Sequence, residues 1–525
     1  MKHRSVMTKN RTIASNVPFV PTSSFYRGDE GWSVATALAL GLVATLMATT
    51  AMYFALGDFG IATRYRNWTA ALAAAETGID QYLTKLEADP QYWALPPSQR
   101  DPAYFPGELT WTAVPEGQGE YKLEVTAIPT PIGKPARVSI ISTGRVNGVV
   151  RSIQVELERK QFLDWMYFTD FEAYTPQEGG RNCLTYNQAP PDCGAIDFVS
   201  QDVLRGPIKS NDWIRYCGTP TFQYAVESGR GGVYRAQGCG VDGSPTYQQG
   251  PPKECGKTGT PCPSEMPISN AKLLQDAEQG GYVYQGPVEI TPLPNGKIRV
   301  YSRFGNDAVA NGPARTRTLQ QAPPTSTLNE WNPPPNGVIY VSNMTTPQNQ
   351  QAKVYVGGTV SGGLTIGSAY RIFVWKSINY ADTSSRSRDV LGLISNESII
   401  IGDDRVGCSD PRKRPQNPTV RAAMLALNGD IRAWGIVNPP DPCTDPGDGE
   451  FVNGTLTYYS AIAQKWRGVV GTYKSSGGQI QITRGYVKDY RYDERLRYVQ
   501  PPRFMEPTNT SWKKLSWREI PPKKY

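Results

Sequence analysis

Histidine is almost missing: the single one among 525 residues is His3. Everything after the first few residues therefore lacks the means for Ser-His-Asp or Cys-His nucleophilic arrangements, His-ligated zinc and imidazole acid-base work. No CxxC occurs, which argues against a zinc ribbon or a thioredoxin-type centre. No GxxxxGK[ST] occurs either, so the chain is not an assembly motor. Charge is also missing from one stretch: Trp32 to Leu56 contains no charged residue, His or Pro. About 25 residues at roughly 1.5 Å each are enough to cross a bilayer core of about 30 Å.

The helical pattern continues beyond that stretch. Ile61, Tyr65, Trp68, Leu72, Ala75, Ile79, Tyr82 and Leu86 are spaced alternately by four and three, so one apolar stripe runs on past the membrane exit. No Pro interrupts it before Pro90. A single helix over 32–90 is predicted, apolar all round in its first half and amphipathic in its second. A signal peptide is a poor match, because its apolar core is about 7 to 15 residues long and ends at a cleavage site instead of continuing as helix. A single-span anchor with a coiled-coil stalk is the competing reading.

The net charge is +8. Residues 1–31 hold Lys2, Arg4, Lys9, Arg11 and Arg27 against Asp29 and Glu30, which places this leader in the cytoplasm and the large C-terminal part outside. All eight cysteines (Cys183, Cys193, Cys217, Cys239, Cys255, Cys262, Cys408, Cys443) lie on the exported side, where an even count reads as disulfides. Eight cysteines allow 105 pairings; neighbour pairing, 183 with 193, 217 with 239, 255 with 262 and 408 with 443, is the expectation adopted.

With Gly 51, Pro 44 and 39% hydrophobic residues, the exported part reads as loop-rich and mainly β. Runs at 108–114, 121–128, 137–145 and 149–158 predict a four-stranded antiparallel head over 91–160, with Asn147-Gly148 as a hairpin turn and the stripe from Ile61 to Leu86 packed on it. Residues 161–335 are expected to be a Cys/Gly/Pro-rich β region. It opens with an aromatic joint (Phe162, Trp165, Tyr167, Phe168, Phe171, Tyr174) read as a buried plug. Residues 336–500 carry many short strands between Gly, Asn and Asp turns. They predict a β-solenoid, a right-handed parallel β-helix, with a β-sandwich as the alternative. The 501–525 tail interleaves Trp512, Lys513, Lys514, Trp517, Arg518, Lys523 and Lys524. That mix suits contact with nucleic acid or an anionic polysaccharide, but docking on the last rung is preferred.

The junction Arg27-Gly28-Asp29-Glu30-Gly31-Trp32-Ser33 resembles the cleavage site of a type IV prepilin. The resemblance implies that a prepilin peptidase cuts after Gly31 and that Trp32 becomes the methylated N-terminus. The family's usual Glu five residues into the mature chain is here Thr36, a departure shared by minor pilins at filament tips. Ala73 to Ile79 (AAAETGI) and the blocks 165–172, 206–212, 466–472 and 485–496 resemble large pilus assembly proteins with a PilX-type N-terminal domain. The resemblance implies a tip subunit acting in assembly initiation or surface adhesion. Its assembly helix would carry Thr36, Ile61, Tyr65, Trp68, Leu72 and Ile79. Its partners would be other pilins, the inner-membrane assembly machinery and a surface polysaccharide or DNA.

Two enzyme-like features are weighed against that reading. Asp164, Asp170 and Glu172 lie close in sequence, as paired carboxylates for glycoside cleavage do, but the required separation of about 5 to 9 Å does not follow from sequence. The loop 443–450 offers three carboxylates off the EF-hand spacing and reads as a solvated turn. A non-enzymatic chain with no cofactor and no metal is expected. A secretion-system pseudopilin and a membrane-anchored β-helix acting on carbohydrate are the alternatives.

Overall fold

The computed structural model describes residues 33–88, 92–94, 110–115, 117–130, 135–175, 196–229, 232–254, 264–302, 308–309, 330–344, 351–406, 410, 413–436, 451–508, 511–523 and 525. By internal contacts the chain divides into residues 1–66 and residues 67–525.

In the first unit a helix begins at Ser33, and it runs to Ala88 in the second. Val34–Phe54 is long and apolar enough to cross a membrane, and none of it is buried. Ile61 and Tyr65 are 69% and 68% exposed.

The second unit opens with a head in which helix residues Ala75, Ile79, Tyr82 and Leu86 share a core with Leu123, Val125, Val138, Ile140, Ile153, Val155 and Leu157. The sheet is antiparallel, in the order 112–113, 120–128, 136–146, 149–159 and 513–520. It has five strands where four were expected. The fifth, Lys513–Ile520, is the basic aromatic tail, lying along Val149–Arg159 and not on a last rung. The reason is visible at Arg151, whose guanidinium is gripped by Glu519 of the tail and lies 3.4 Å from the centre of the Trp68 ring.

Helix and sheet approach closely because the contact is made of small residues. A Cβ on Gly144 would sit 2.1 Å from the Ala71 carbonyl oxygen and 2.5 Å from the Ala75 nitrogen, and one on Gly78 would strike Ser142 and Tyr121. Asn147 and Gly148 both have positive φ, the requirement of the tight hairpin turn that matches strand twist. The turn ends the sheet beside Asn67, to which the Asn147 amide donates at 3.2 Å. Within this unit the sheet covers the helix from about Asn67 onward. Of the stripe expected to pack on it, Ala75, Ile79, Tyr82 and Leu86 are buried and Leu72 is partly buried, whereas Trp68 is exposed.

The rest of the second unit is a stack of parallel strands with an unusual chain order. Tyr282–Gln285, Val338–Ser342, Gly363–Ser368, Val390–Ser395, Thr419–Ala426 and Phe451–Trp466 pair successively in parallel. Beside them runs a second ladder through Val288–Pro292, Lys353–Val360, Arg371–Tyr380, Ile399–Ile401 and Ile431–Ala433. Phe451–Trp466 then pairs with two strands at once. Its first part takes Gln479–Tyr492, the last strand of the body, and its second part takes Tyr167–Phe171, the first. Beyond this shared rung come Val203–Arg205 with Ile208–Ser210, then Thr221–Phe222 with Val226–Ser228, then Thr246–Tyr247 with Lys253–Glu254. The chain enters the stack in its interior, winds to one end, restarts at the other end and returns to where it entered.

One apolar ladder shows what this order buries. Ile339, Ile366, Leu393, Met424, Ile462, Tyr167, Ile208 and Val226 lie in register on successive rungs, all within one core that runs from Phe162 to Phe504. That core crosses the boundary expected at 335/336. Cys217 and Cys239 form a disulfide closing 22 residues beside this end of the stack. Residues 264–270 connect distant rungs from outside. Asn211 is bonded to Ser264 in both directions, Asn428 donates to the Ile268 carbonyl, and Asn270 donates to the Ser368 carbonyl before the helix Ala271–Glu278. Five rung steps lie between Ser210 and Ser368, or about 24 Å at roughly 4.8 Å each, close to the reach of six extended residues plus side chains.

Candidate functional site

Two regions carry features that folding alone does not require. The first is the uncharged helix. Leu38, Leu40, Leu42, Leu46, Met47, Met52, Tyr53 and Phe54 are all exposed, a continuous apolar surface far larger than soluble monomers display. Thr36, Ile61 and Tyr65 of the expected assembly set are exposed, Leu72 packs partly against the head core, and Ile79 lies inside it. Thr45 and Thr49 turn their hydroxyls back onto the Gly41 and Thr45 carbonyls, which satisfies these polar groups within the helix, as a segment in lipid or in a packed bundle needs. Gly31 and Trp32 lie outside the described residues.

The second region is the rung shared by the first and last strands of the stack, where buried charge collects. Arg467 is ion-paired to Glu172 at 2.7 Å with both side chains at most 3% exposed. The same guanidinium donates to the Ile196 and Asp197 carbonyls and lies 3.8 Å from the Phe198 ring centre. Glu172 is also reached by Thr169 and, at 3.3 Å, by the Tyr167 hydroxyl. Lys488 pairs with Asp202 at 2.7 Å, and Asp197 receives Arg215 and the Tyr473 hydroxyl. A small cavity lined by Tyr167, Phe198, Tyr458, Arg467, Lys488 and Tyr490 has room for a water molecule. Burial, with the Glu172 charge adding to it, holds the Tyr167 hydroxyl well above the usual tyrosine range.

The three carboxylates singled out from sequence do not share one site. Asp164 accepts the Gln161 backbone N–H at 2.8 Å, and burial raises its pKa well above the ordinary value. Asp170 accepts from Asn211 at 2.9 Å, and Glu172 belongs to the Arg467 pair. Each is occupied in holding a turn or a buried cation, and none lines the cavity. The aromatic plug is buried at Phe162, Trp165, Tyr167, Phe168 and Phe171, with Phe171 stacked on Trp466 at 4.6 Å. Among the described residues no group of three His, Cys, Asp or Glu side chains is placed to hold a metal. The loop 443–450 and Cys183, Cys193, Cys255, Cys262, Cys408 and Cys443 lie outside the described residues.

Sequence reasoning missed Arg467, Asp202 and Lys488 as a cluster. The only signal was charge inside strand-like runs, as in Val487-Lys488-Asp489-Tyr490; nothing in the spacing connects positions 172, 202, 467 and 488.

No protein-family model matches the chain, and no curated protein does. Among solved structures, the competence-associated pilin ComZ from Thermus thermophilus is similar over 86% of this chain and 97% of that chain, at 11% identity and a TM-score of 0.24. A likeness at that score carries no argument about the fold or role of this chain.

Proposed function

We propose that the chain is a pilin-like surface subunit without enzymatic activity: a minor pilin of a type IV pilus, of the PilX-like kind, placed at the filament tip. The observation that carries this reading is the helix Ser33–Ala88, apolar and uncovered over Val34–Phe54 and packed into a head core over its last turns. Such a segment needs a membrane before assembly and neighbouring helices afterwards. The Gly31-Trp32 junction supports cleavage by a prepilin peptidase, with the basic leader in the cytoplasm.

The parallel rungs support a β-helix for the body, right-handed by the strong preference of parallel crossovers. Its bulk is what favours the tip: a stack of this size on every subunit would obstruct close packing along a shaft. There it would present an adhesive or assembly-initiating face, with surface polysaccharide or DNA as the class of ligand.

The test is electron microscopy of sheared surface filaments, labelled with an antibody against the stack. Label confined to filament ends supports the reading. Label along the whole shaft rejects the tip position, and filaments without label reject the pilus assignment.

A further inference from the structure

We propose that Lys488 and Asp202 condense to an isopeptide bond, an amide between Nζ and Cγ formed with loss of one water, which joins the first and last segments of the stack covalently.

The backbone fixes the meeting of these two residues. Gln479–Tyr492 and Val203–Arg205 pair in parallel with Asp489 opposite Val203, so Lys488 and Asp202 fall opposite each other one residue earlier. Side chains in register on adjacent rungs stand about 4.8 Å apart on the same face. The Lys488 nitrogen is 2.7 Å from Asp202 Oδ2, with the side chains 13% and 2% exposed. The surroundings are poor in water: the Phe198 ring centre lies 5.6 Å from Nζ, and Tyr458 and Tyr490 line the adjoining cavity.

The chemistry balances without any co-reactant. Within the ion pair the ammonium passes a proton to the carboxylate, giving an amine and a carboxylic acid. The amine lone pair attacks Cγ, the C–N bond forms, and the acid hydroxyl leaves with the second amine proton as water. The Val199 backbone N–H donates to Oδ2 at 2.9 Å and holds the carboxyl in place beside the lysine. Burial pushes the Lys488 pKa down, opposed by the Asp202 charge and reinforced by Arg467, so the amine form is more accessible than in water. The cavity beside Lys488 has room for the released water.

The other lysine–carboxylate pairs supply internal controls. Lys353–Asp404 is close but has a lysine 32% exposed, and Lys209–Glu227 is buried but separated by 3.7 Å. Lys488–Asp202 combines contact with burial of both partners, and it spans 286 positions.

The experiment is a reduced, denatured digest of the full-length protein read by tandem mass spectrometry. The expected result is the peptide containing Asp202 joined to the one containing Lys488, lighter than their sum by one water, while the other lysine pairs remain unlinked. Lys488→Arg keeps the positive charge and abolishes the joined peptide. Recovery of the two wild-type peptides only as separate species overturns the proposal, and it does so whether or not the variant folds.

Discussion

Head and stack bury their sheets by opposite means. The head assembles its core from residues 75–157, near neighbours in the chain, and adds the strand Lys513–Ile520 from afar. The stack cannot close its shared rung without both Tyr167–Phe171 and Gln479–Tyr492, some 300 residues apart. The head is held by small-residue contact, Gly144 and Gly78 against Ala71, Ala75, Ser142 and Tyr121. The stack is held at its seam by buried ion pairs. Local closure makes a core that tolerates loss of the distant strand, whereas non-local closure makes one in which a single pair couples both halves.

The largest break in this comparison is Glu172→Leu. It leaves Arg467 charged and buried without its partner, a loss of roughly 3–5 kcal/mol. Hydrogen exchange should show protection falling together over 203–228, 419–436 and 451–492 while strands 120–128, 136–146 and 149–159 keep theirs; Arg467→Met added to Glu172→Leu should recover much of the loss. Gly144→Val is the converse, at roughly 3 kcal/mol, the upper end for overpacking because the added carbons meet helix backbone. Exchange should accelerate in 71–86 and 120–159 and leave the stack unchanged.

Acid sharpens the contrast further. Burial raises Asp212 from 3.8 to about 6, with the Glu172 and Asp170 charges adding to it. The folded chain then holds a proton that the unfolded chain has released, so stability falls as pH rises through that window and levels off above it. The effect is on the order of 3 kcal/mol, and Asp212→Asn should flatten that slope in urea titrations of the stack. In the head the sign is reversed and the size smaller. The hydrogen bond from Arg151 holds Glu519 below its ordinary value, so its contribution is present above the ordinary carboxylate pKa and lost as pH falls. Because Glu519 is 42% exposed, Glu519→Gln should cost only a few tenths of a kcal/mol, read as a small shift in head unfolding that disappears in acid.

Legibility in the sequence divides along the same line. The helix and the Asn147-Gly148 turn are written in local spacing and turn chemistry, and the helix Ser33–Ala88 starts and ends within two residues of the expected 32–90. The tail strand was not legible: its partner lies more than 350 positions earlier, and the pairing rests on Arg151 and Glu519, which no periodicity connects. The shared rung was hidden for the same reason, since Tyr167–Phe171 reads as an aromatic joint until Phe451–Trp466 is laid beside it. The extent of head contact was overread, because a stripe spaced by four and three does not reveal where the covering sheet stops. Buried charges at 172, 202, 467 and 488 look like ordinary strand polarity until the rungs are stacked.

The most direct test of the pilin-like reading concerns the segment that neither core covers. Mature protein from membranes or sheared filaments should be sequenced from its N-terminus and weighed intact. A chain starting at Trp32 and heavier by one methyl group is the expected result. A chain that still carries residues 1–31 would contradict the reading and leave a membrane-tethered stack in place of a filament subunit.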